Sequence, residues 1–287
     1  MPPRKKTRGG RVVFEGDSAH QHIIVVDSDD MRHLYFGSAR MGSQTSVFIG
    51  DEAAGRNEDL VAEYSGMMLV GLALTPKNRE ILLIGLGGGY TPLIFQKHLP
   101  DHHLTVVELD PMVAEIAGKY FGFAPGGNVD LVLGEGGEFV EGCRDGRWDQ
   151  IWMDAYSHSR QPKQFTTLKF LNLMRRKISE GGVAAQNLDR QGHRHYDNQI
   201  IKTRKAFGAP PMILGAFHYH NNILFSLNSE TRRLPEDEAG LLKLVRSYPD
   251  RVGPWSLSQQ AKKIIPLSSS SEVARPWVSS FASGTRH

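Results

Sequence analysis

The chain has 287 residues, and its 34 basic and 31 acidic side chains leave a formal net charge of only +3. This balance gives no overall signal for nucleic acid binding, and the longest apolar stretch near a helix, residues 67–74, is far too short to span a bilayer. A single cysteine, Cys143, excludes an internal disulfide and a cysteine-based zinc cluster. The basic N-terminal residues are not followed by an apolar core, so we expect no secretory signal and a cytoplasmic location.

The N-terminal part of the sequence predicts a short arm, a small sheet and a helix. Residues 1–18 carry several basic side chains and predict a flexible basic arm. Residues 19–55 alternate apolar and polar side chains between turn-forming segments, which predicts a small antiparallel β unit. Its strands are expected at residues 22–26, 32–36 and 46–49. A helix is expected over residues 57–75, capped by Asn57 and ending before Pro76.

Residues 56–249 predict a larger α/β domain in which strands and helices alternate. The expected strands cover residues 80–85, 104–108, 129–133, 148–153 and 181–187. The expected helices cover residues 91–99, 111–120, 135–141, 166–178 and 195–207. Such alternation favours a doubly wound, Rossmann-like parallel sheet with helices on both faces.

The end of the sequence departs from this alternation. Residues 211–217 and 222–227 are close enough in sequence to pair as an antiparallel hairpin, an ending that is common in methyltransferase-type sheets. A last helix is expected over residues 235–247. Residues 250–287 include a serine run and scattered apolar side chains, which predicts a tail with little structure of its own.

A glycine cluster after the first parallel strand is the most informative motif. Gly85, Gly87 and Gly89 allow the backbone to turn tightly and to approach a ligand closely. A dinucleotide-binding loop has a third glycine where Tyr90 stands, and no lysine or arginine near this loop is available for phosphate. Glu108 ends the second strand, where an acid can accept hydrogen bonds from both hydroxyls of a ribose. These features predict an adenosine-containing donor without phosphate: S-adenosylmethionine or its decarboxylated form.

Several motifs together resemble the spermidine synthase family, the polyamine aminopropyltransferases and their relatives. Among them are the glycine loop, the segment Val107-Glu108-Leu109-Asp110-Pro111 and the segment Asp154-Ala155-Tyr156-Ser157 at the end of the fourth strand. The resemblance covers residues 19–228. It implies a methyltransferase-type fold that binds an S-adenosyl donor, and it implies a homodimer, because family members often dimerise.

The resemblance also implies roles for single side chains around the donor. It assigns the ribose hydroxyls to Glu108 and the adenine amino group to Glu135. It places Asp154 beside the donor's sulfonium and the acceptor nitrogen, and Gln21 in the wall of the pocket. Asp154 and Tyr156 are therefore the candidate catalytic pair, with Asp154 orienting the acceptor N–H and stabilising the developing ammonium.

The acceptor side departs from the family pattern. Tyr64 and Tyr219 fall where family members line and close the amine pocket. Gly88 stands where the family has an Asp that binds the aminopropyl ammonium, and Ser157 stands where a second Asp takes the proton of the amine. A third family acid, in the helix of Tyr64, is also absent. These losses argue against a plain spermidine synthase and favour intact S-adenosylmethionine as the donor.

We therefore expect a transferase that moves a methyl, aminopropyl or aminocarboxypropyl group from an S-adenosyl donor to a small amine acceptor. A true polyamine aminopropyltransferase that uses decarboxylated S-adenosylmethionine is one alternative. A non-catalytic binding module that retains the fold is the other. We expect no metal site, since the three His-x-His pairs have no acid or cysteine at useful spacing.

Overall fold

The computed structural model describes residues 6–7, 10–39, 42–50, 63–156, 161–189, 193–215, 221–249, 251–252 and 255–265. The N-terminal part forms a five-stranded antiparallel sheet in which strands pair in chain order. Its strands are β1 (Lys6–Thr7), β2 (Gly10–Asp17), β3 (His22–Ser28), β4 (Met31–Phe36) and β5 (Thr45–Phe48). The three predicted strands are confirmed. Alternate side chains of β3, such as Ile23 and Val25, are fully buried in the main core, which holds this sheet against the rest of the protein.

Two short helices precede the larger sheet. Helix α1 spans Glu63–Leu69 and helix α2 spans Gly71–Leu74. Both are buried almost completely around Met67, Met68 and Leu72, so they lie inside the core rather than on its surface. The predicted end before Pro76 is confirmed, but the helix is broken at Val70. Asn57 and the boundary at residues 55–56 lie outside the described residues.

The strands of the larger part of the chain are β6 (Glu80–Ile84), β7 (His103–Glu108), β8 (Val129–Leu133), β9 (Trp148–Met153), β10 (Ile178–Asp189), β11 (Met212–Gly215), β12 (Asn221–Leu227), β13 (Arg251–Val252), β14 (Trp255–Ser256) and β15 (Ile264–Ile265). Eight of them form the larger sheet, in the order β15-β11-β12-β10-β9-β6-β7-β8. The five strands from β10 to β8 are parallel, and β12 is antiparallel between β10 and β11. From β6 the chain adds β7 and β8 on one side of the sheet, and then adds β9 and β10 on the other side. In such sheets ligands bind at this switch point, at the carboxyl ends of the strands beside β6.

Helices cover both faces of this sheet, as a doubly wound fold requires. They are α3 (Tyr90–His98), α4 (Pro111–Phe121), α5 (Gly136–Gly142), α6 (Leu168–Lys177), α7 (His193–Phe207), α8 (Glu238–Val245) and α9 (Leu257–Ala261), with a 3-10 turn at Lys163–Thr166 before α6. Neighbouring residues of β6 face opposite cores: Leu83 packs with α3 and α4, whereas Leu82 packs with α5 and α6. Among the described residues, no helix is long and apolar enough to cross a membrane.

The predictions for both ends of the chain are wrong in part. Residues 10–17, predicted as part of a flexible arm, form β2 and pair with β3. Within the predicted tail of residues 250–287, β15 pairs with β11 and extends the larger sheet. Helix α9 packs its buried Leu257 and Ala261 into the main core. Such short elements form because tertiary contacts hold them, and their local sequence carries little signal. The serine run lies outside the described residues.

Candidate active site

A cavity of about 350 Å³ lies at the carboxyl ends of β6, β7 and β9, at the switch point of the larger sheet. Its volume falls in the range of small-molecule sites. The larger sheet and its loops contribute Ile84, Gly85, Leu86, Gly87, Tyr90, Thr91, Val107, Glu108, Leu109, Asp110, Glu135, Gly136, Asp154, Ala155, Tyr156, Pro162, Gln164 and Phe165. The N-terminal sheet, its loops and α1 contribute His20, Gln21, Phe36, Gln44, Thr45, Tyr64 and Ser65. The site therefore lies between the two sheets.

The glycine loop forms one wall of this cavity. Gly85 has a φ of 102°, in the left-handed region that favours glycine. A Cβ at this position would lie 2.4 Å from the backbone oxygen of Asp154, so a side chain would push β6 and β9 apart. Gly87 also lines the cavity. Gly89 is the N-cap residue of α3 and is not among the residues that line the cavity, so its predicted contact with the cofactor remains a prediction.

Glu108 lies at the carboxyl end of β7, with 8% of its surface exposed. Its Oε2 accepts a hydrogen bond from the backbone N–H of Leu86 at 2.9 Å, and its Oε1 accepts one from the N–H of Asp110 at 2.9 Å. Burial raises the pKa of this carboxyl, and the backbone hydrogen bonds oppose that increase. A carboxylate has about four acceptor positions, so roughly two remain for a ligand. The ribose role remains a prediction that this geometry permits.

Asp110 fixes the rim of the cavity beside Glu108. It is 1% exposed and caps α4, because its Oδ1 accepts a hydrogen bond from the N–H of Met112 at 3.0 Å. The hydroxyl of Ser18 donates to its Oδ2 at 2.5 Å. This hydrogen bond holds the turn between β2 and β3 against the edge of the cavity.

Asp154 follows β9 and lines the cavity. The side-chain amide of Asn187, on β10, donates to Asp154 Oδ1 at 2.7 Å. The amide of Asn221, on β12, in turn donates to Asn187 Oδ1 at 2.9 Å. Burial raises the pKa of Asp154 from 3.8 to about 7, and the hydrogen bond from Asn187 opposes that increase. Asp154 can therefore change its protonation state near neutral pH, as a residue that handles a proton must.

Tyr156 lies beside Asp154 but cannot act as a base. Its hydroxyl donates to the backbone oxygen of Asn187 at 2.9 Å. Burial, together with the charges of Asp154 and Asp189, raises the pKa of this phenol above its ordinary value. Tyr156 therefore stays protonated and lines the cavity, and its place in the candidate catalytic pair remains a prediction.

Glu135 lines the cavity but already has a structural role. It caps α5, with its carboxylate accepting hydrogen bonds from the N–H groups of Gly137 at 2.9 Å and Glu138 at 2.7 Å. The side-chain amide of Gln164 donates to the same carboxylate at 2.5 Å. Three of its roughly four acceptor positions are thus occupied. The predicted contact with an adenine amino group is left with one position and remains a prediction.

The N-terminal sheet and α1 supply the opposite wall. Thr45, the first residue of β5, accepts a hydrogen bond from the N–H of Gly88 at 2.9 Å through its Oγ1. The Oε1 of Gln21 is buried and has no hydrogen-bond donor among the described residues. The hydroxyl of Tyr64 donates to the backbone oxygen of Gln44 at 3.4 Å. Both Gln21 and Tyr64 line the cavity, which the roles predicted for them in donor and substrate binding require.

The structure adds residues that the sequence did not single out and leaves two predicted ones undescribed. Thr45 and Asn187 were missed, because each acts through a contact with a residue distant in sequence. Ser157 and Tyr219, both predicted to bind substrate, lie outside the described residues. Of the first His-x-His pair, His20 lines the cavity, whereas His22 pairs with Asp17 at 2.7 Å.

Most of the ionisable side chains that line the cavity are acidic. Four carboxylic acids line it: Glu108, Asp110, Glu135 and Asp154. Within the described part of the chain, no lysine or arginine lines it, and His20 is the one basic side chain that does. Such a cavity favours a cationic ligand and repels a phosphate.

Comparison with known proteins identifies the family. The spermine/spermidine synthase domain matches residues 61–227, more than half of the chain, and the protein therefore belongs to this family. The predicted resemblance is confirmed.

The relatives catalyse more than one kind of transfer. The chain is 30% identical over 199 residues to a polyamine aminopropyltransferase of Vibrio vulnificus, a match that covers 69% of this chain and 65% of that protein. It is 29% identical over 165 residues to the mouse eEF1A lysine and N-terminal methyltransferase, covering 52% and 24%. It is 25% identical over 197 residues to putrescine N-methyltransferase 1 of Nicotiana tabacum, covering 67% and 49%. The chain thus spans less than two thirds of the length of each of these transferases.

Solved structures confirm the fold. A probable spermidine synthase from Corynebacterium glutamicum has a TM-score of 0.65 at 17% identity, covering 92% of this chain and 99% of that one. Human methyltransferase-like protein 13 in complex with SAH has a TM-score of 0.60 at 22% identity, covering 77% and 98%. The Rossmann-like, methyltransferase-type sheet predicted from the sequence is therefore the fold of this protein.

Proposed function

We propose that this protein transfers an alkyl group, whether methyl, aminopropyl or aminocarboxypropyl, from an S-adenosylmethionine-type donor to a small amine acceptor. The observation that carries this proposal is the charge of the cavity. Four carboxylic acids line it, and none of its described lining residues is a lysine or arginine. A sulfonium donor and an amine acceptor are both cationic before reaction, whereas a phosphate-bearing cofactor would be repelled.

The residues present fit an S-adenosyl donor. The buried carboxylate of Glu108 retains acceptor positions at the end of β7, where ribose hydroxyls are expected. The buried Oε1 of Gln21, which lacks a partner among the described residues, can accept from a ligand N–H or O–H. The donor, when bound, supplies an alkyl group activated by a positively charged sulfur. The three named relatives all act, by name, on amines, which supports an amine as the acceptor.

Asp154 is the residue to which we assign the proton. An amine must be neutral to attack, and Asp154, with a pKa of about 7, can take a proton from it near neutrality. Once it has taken this proton, Asp154 is a neutral acid; the neutral amine nitrogen would gain the alkyl group and become an ammonium again, and the donor would be left as a neutral thioether. Asn187 holds Asp154 Oδ1, so we assign the contact with the amine to Oδ2. A homodimer and a cytoplasmic location remain predictions.

The first test is a calorimetric titration of the purified protein with S-adenosylmethionine, its decarboxylated form and methylthioadenosine. We expect at least one of the three to bind, and Glu108→Gln to weaken that binding at least tenfold, since hydrogen bonds to a charged acceptor are lost. Glu141→Gln, an exposed change on α5, is the matched control and should not alter affinity.

Chemistry is tested by incubating the protein with the bound donor and a panel of diamines, amino acids and lysine peptides. The added mass on the acceptor, read by mass spectrometry, identifies the alkyl group. Aminopropyl transfer to a diamine would make the protein a true polyamine aminopropyltransferase. Absence of binding to all three S-adenosyl compounds would refute the proposal and favour a non-catalytic module.

A further inference from the structure

A side chain of the N-terminal sheet, Thr45, contacts the glycine loop at Gly88. The N–H of Gly88 donates to Thr45 Oγ1 at 2.9 Å. A Cβ built on Gly88 would lie 2.5 Å from Thr45 Cγ2 and 2.8 Å from Thr45 Cβ, far closer than non-bonded carbons approach. Thr45 therefore occupies the space that a side chain at position 88 would need. At this point of the cavity the glycine loop has no side chain, and the nearest side-chain polar group is the hydroxyl of Thr45 from the N-terminal sheet.

The hydroxyl of Thr45 retains a hydrogen atom to donate. A hydroxyl offers one donor and two acceptor lone pairs, and Gly88 uses one lone pair. Among the residues that the structure describes, none accepts a hydrogen bond from this hydroxyl, although Thr45 lines the cavity. The hydroxyl of Thr45 can therefore donate a hydrogen bond to an anionic or carbonyl oxygen of the ligand.

Gln21 supplies the complementary group on the same wall. Its Oε1 is buried, and within the described residues no donor reaches it. An unpartnered buried acceptor costs free energy that a ligand N–H would recover. One wall of the cavity thus presents a hydroxyl donor and an amide acceptor, the two groups that an α-carboxylate and an α-ammonium need.

The other acids of the cavity do not remove this preference. Asp110 accepts from Met112 and Ser18, and Glu135 accepts from two backbone N–H groups and Gln164. Both carboxylates therefore have few acceptor positions left for the ammonium of a bound S-adenosyl donor. The hydroxyl of Thr45 is a hydrogen-bond donor of this wall for which the described residues provide no acceptor.

We infer that Thr45, together with Gln21, recognises the amino-acid end of the donor, which makes intact S-adenosylmethionine the preferred donor over its decarboxylated form. This inference rests on the proposed function and names the donor for it. Thr45 would be a specificity residue, because it would bind a part of the donor that is not transferred when a methyl group moves.

The test compares two ligands that differ only by the carboxylate, intact and decarboxylated S-adenosylmethionine, in calorimetric titrations of the full chain. We expect the wild-type protein to bind the intact form more tightly. Thr45→Val preserves the shape of the side chain and removes the hydroxyl. It should weaken the intact form roughly tenfold or more and the decarboxylated form by less than about threefold. Thr45→Ser keeps the hydroxyl and should keep the preference.

Comparing the ratio of the two affinities isolates the carboxylate contact. Thr45→Val also leaves the N–H of Gly88 without its acceptor, but this cost affects both ligands alike and cancels in the ratio. An equal loss for both ligands, or tighter wild-type binding of the decarboxylated form, would overturn the inference while the proposed function stands. If the wild-type protein bound neither ligand, the proposed function would fail and this inference with it. Thermal unfolding of each variant confirms that it is folded.

Discussion

Replacing Asp154 by Asn should make the protein more stable and less active at the same time. Burial raises the pKa of Asp154 from 3.8 to about 7, so the folded protein resists ionising this group. One pKa unit corresponds to about 1.4 kcal/mol, so the charged carboxylate lowers the free energy of unfolding by at most about 4 kcal/mol. Asn carries no charge, and its Oδ1 can still accept the hydrogen bond from Asn187.

The pH dependence of this difference has a definite sign. Between pH 3.8 and about 7 the folded protein holds the proton of Asp154 more tightly than the unfolded chain does. The free energy of unfolding of the wild-type protein therefore falls as the pH rises through that window, and the loss persists above it. Asp154→Asn lacks this dependence, so its advantage over wild type should grow by about 2–3 kcal/mol between pH 5 and pH 8.

The assay is urea unfolding of both proteins at half-unit steps from pH 5 to pH 8.5. Asp101→Asn removes an exposed carboxylate from the loop after α3 and serves as the control with no comparable gain. A stability difference that does not change with pH would refute the assignment of a raised pKa to Asp154. Turnover is measured in parallel, and full activity of Asp154→Asn would show that this carboxylate has no part in the reaction.

Three further predictions test other contacts of the site. Gly88→Ala should lower the free energy of unfolding by about 1–3 kcal/mol through overpacking against Thr45. A Thr45→Gly change removes both the Cβ and the Cγ2 that the new side chain would meet, so it should cost much less stability in the Gly88→Ala chain than in the wild-type protein; simple additivity of the two changes in thermal unfolding would refute the contact. Asn187→Ala should shift the rise of the pH–rate profile to higher pH, because Asp154 loses the hydrogen bond that lowers its pKa; an unmoved profile would count against that hydrogen bond. Glu135→Ala should cost about 1 kcal/mol as a lost helix cap, and any added loss of donor affinity in calorimetry would measure its contact with the adenine.

The parallel sheet and its ligand edge were predictable because their signals are local. Buried strands such as β6 and β7 are short apolar runs, and the glycines and acid at their ends follow directly in sequence. Those signals placed Glu108 and Asp154 at the carboxyl ends of two parallel strands, and in the structure these strands, β7 and β9, lie on either side of β6. Predicted element boundaries differ from the observed ones by a few residues; β10, for example, begins at Ile178, ahead of an irregularity in its pairing with β9.

The remaining features depend on contacts between segments distant in sequence. The strand over residues 10–17 contains two glycines and directly follows the basic N-terminal residues, so its sequence resembles an arm, and it forms a strand because β3 pairs with it. The two residues of β15 have no strand signal apart from their partner β11. Glu135 illustrates another limit: helix caps are usually Ser, Thr, Asp or Asn, so a Glu before two glycines does not signal a cap.

The meeting of the two sheets also suggests where this family varies its chemistry. The larger sheet supplies Glu108 and Asp154, to which we assign the roles of nucleoside anchor and proton acceptor, and any S-adenosyl-dependent transfer to an amine could use both. The opposite wall, with Thr45 and Gln21, comes from the N-terminal sheet and its loops. From the sequence alone, Gly88 indicates that an acid of the family has been lost. The structure shows that Thr45 fills the space that a side chain at position 88 would need. Changes in the N-terminal sheet can therefore alter the choice of donor while the nucleoside site and the proton acceptor stay unchanged, which is consistent with a family whose members transfer different groups to amines.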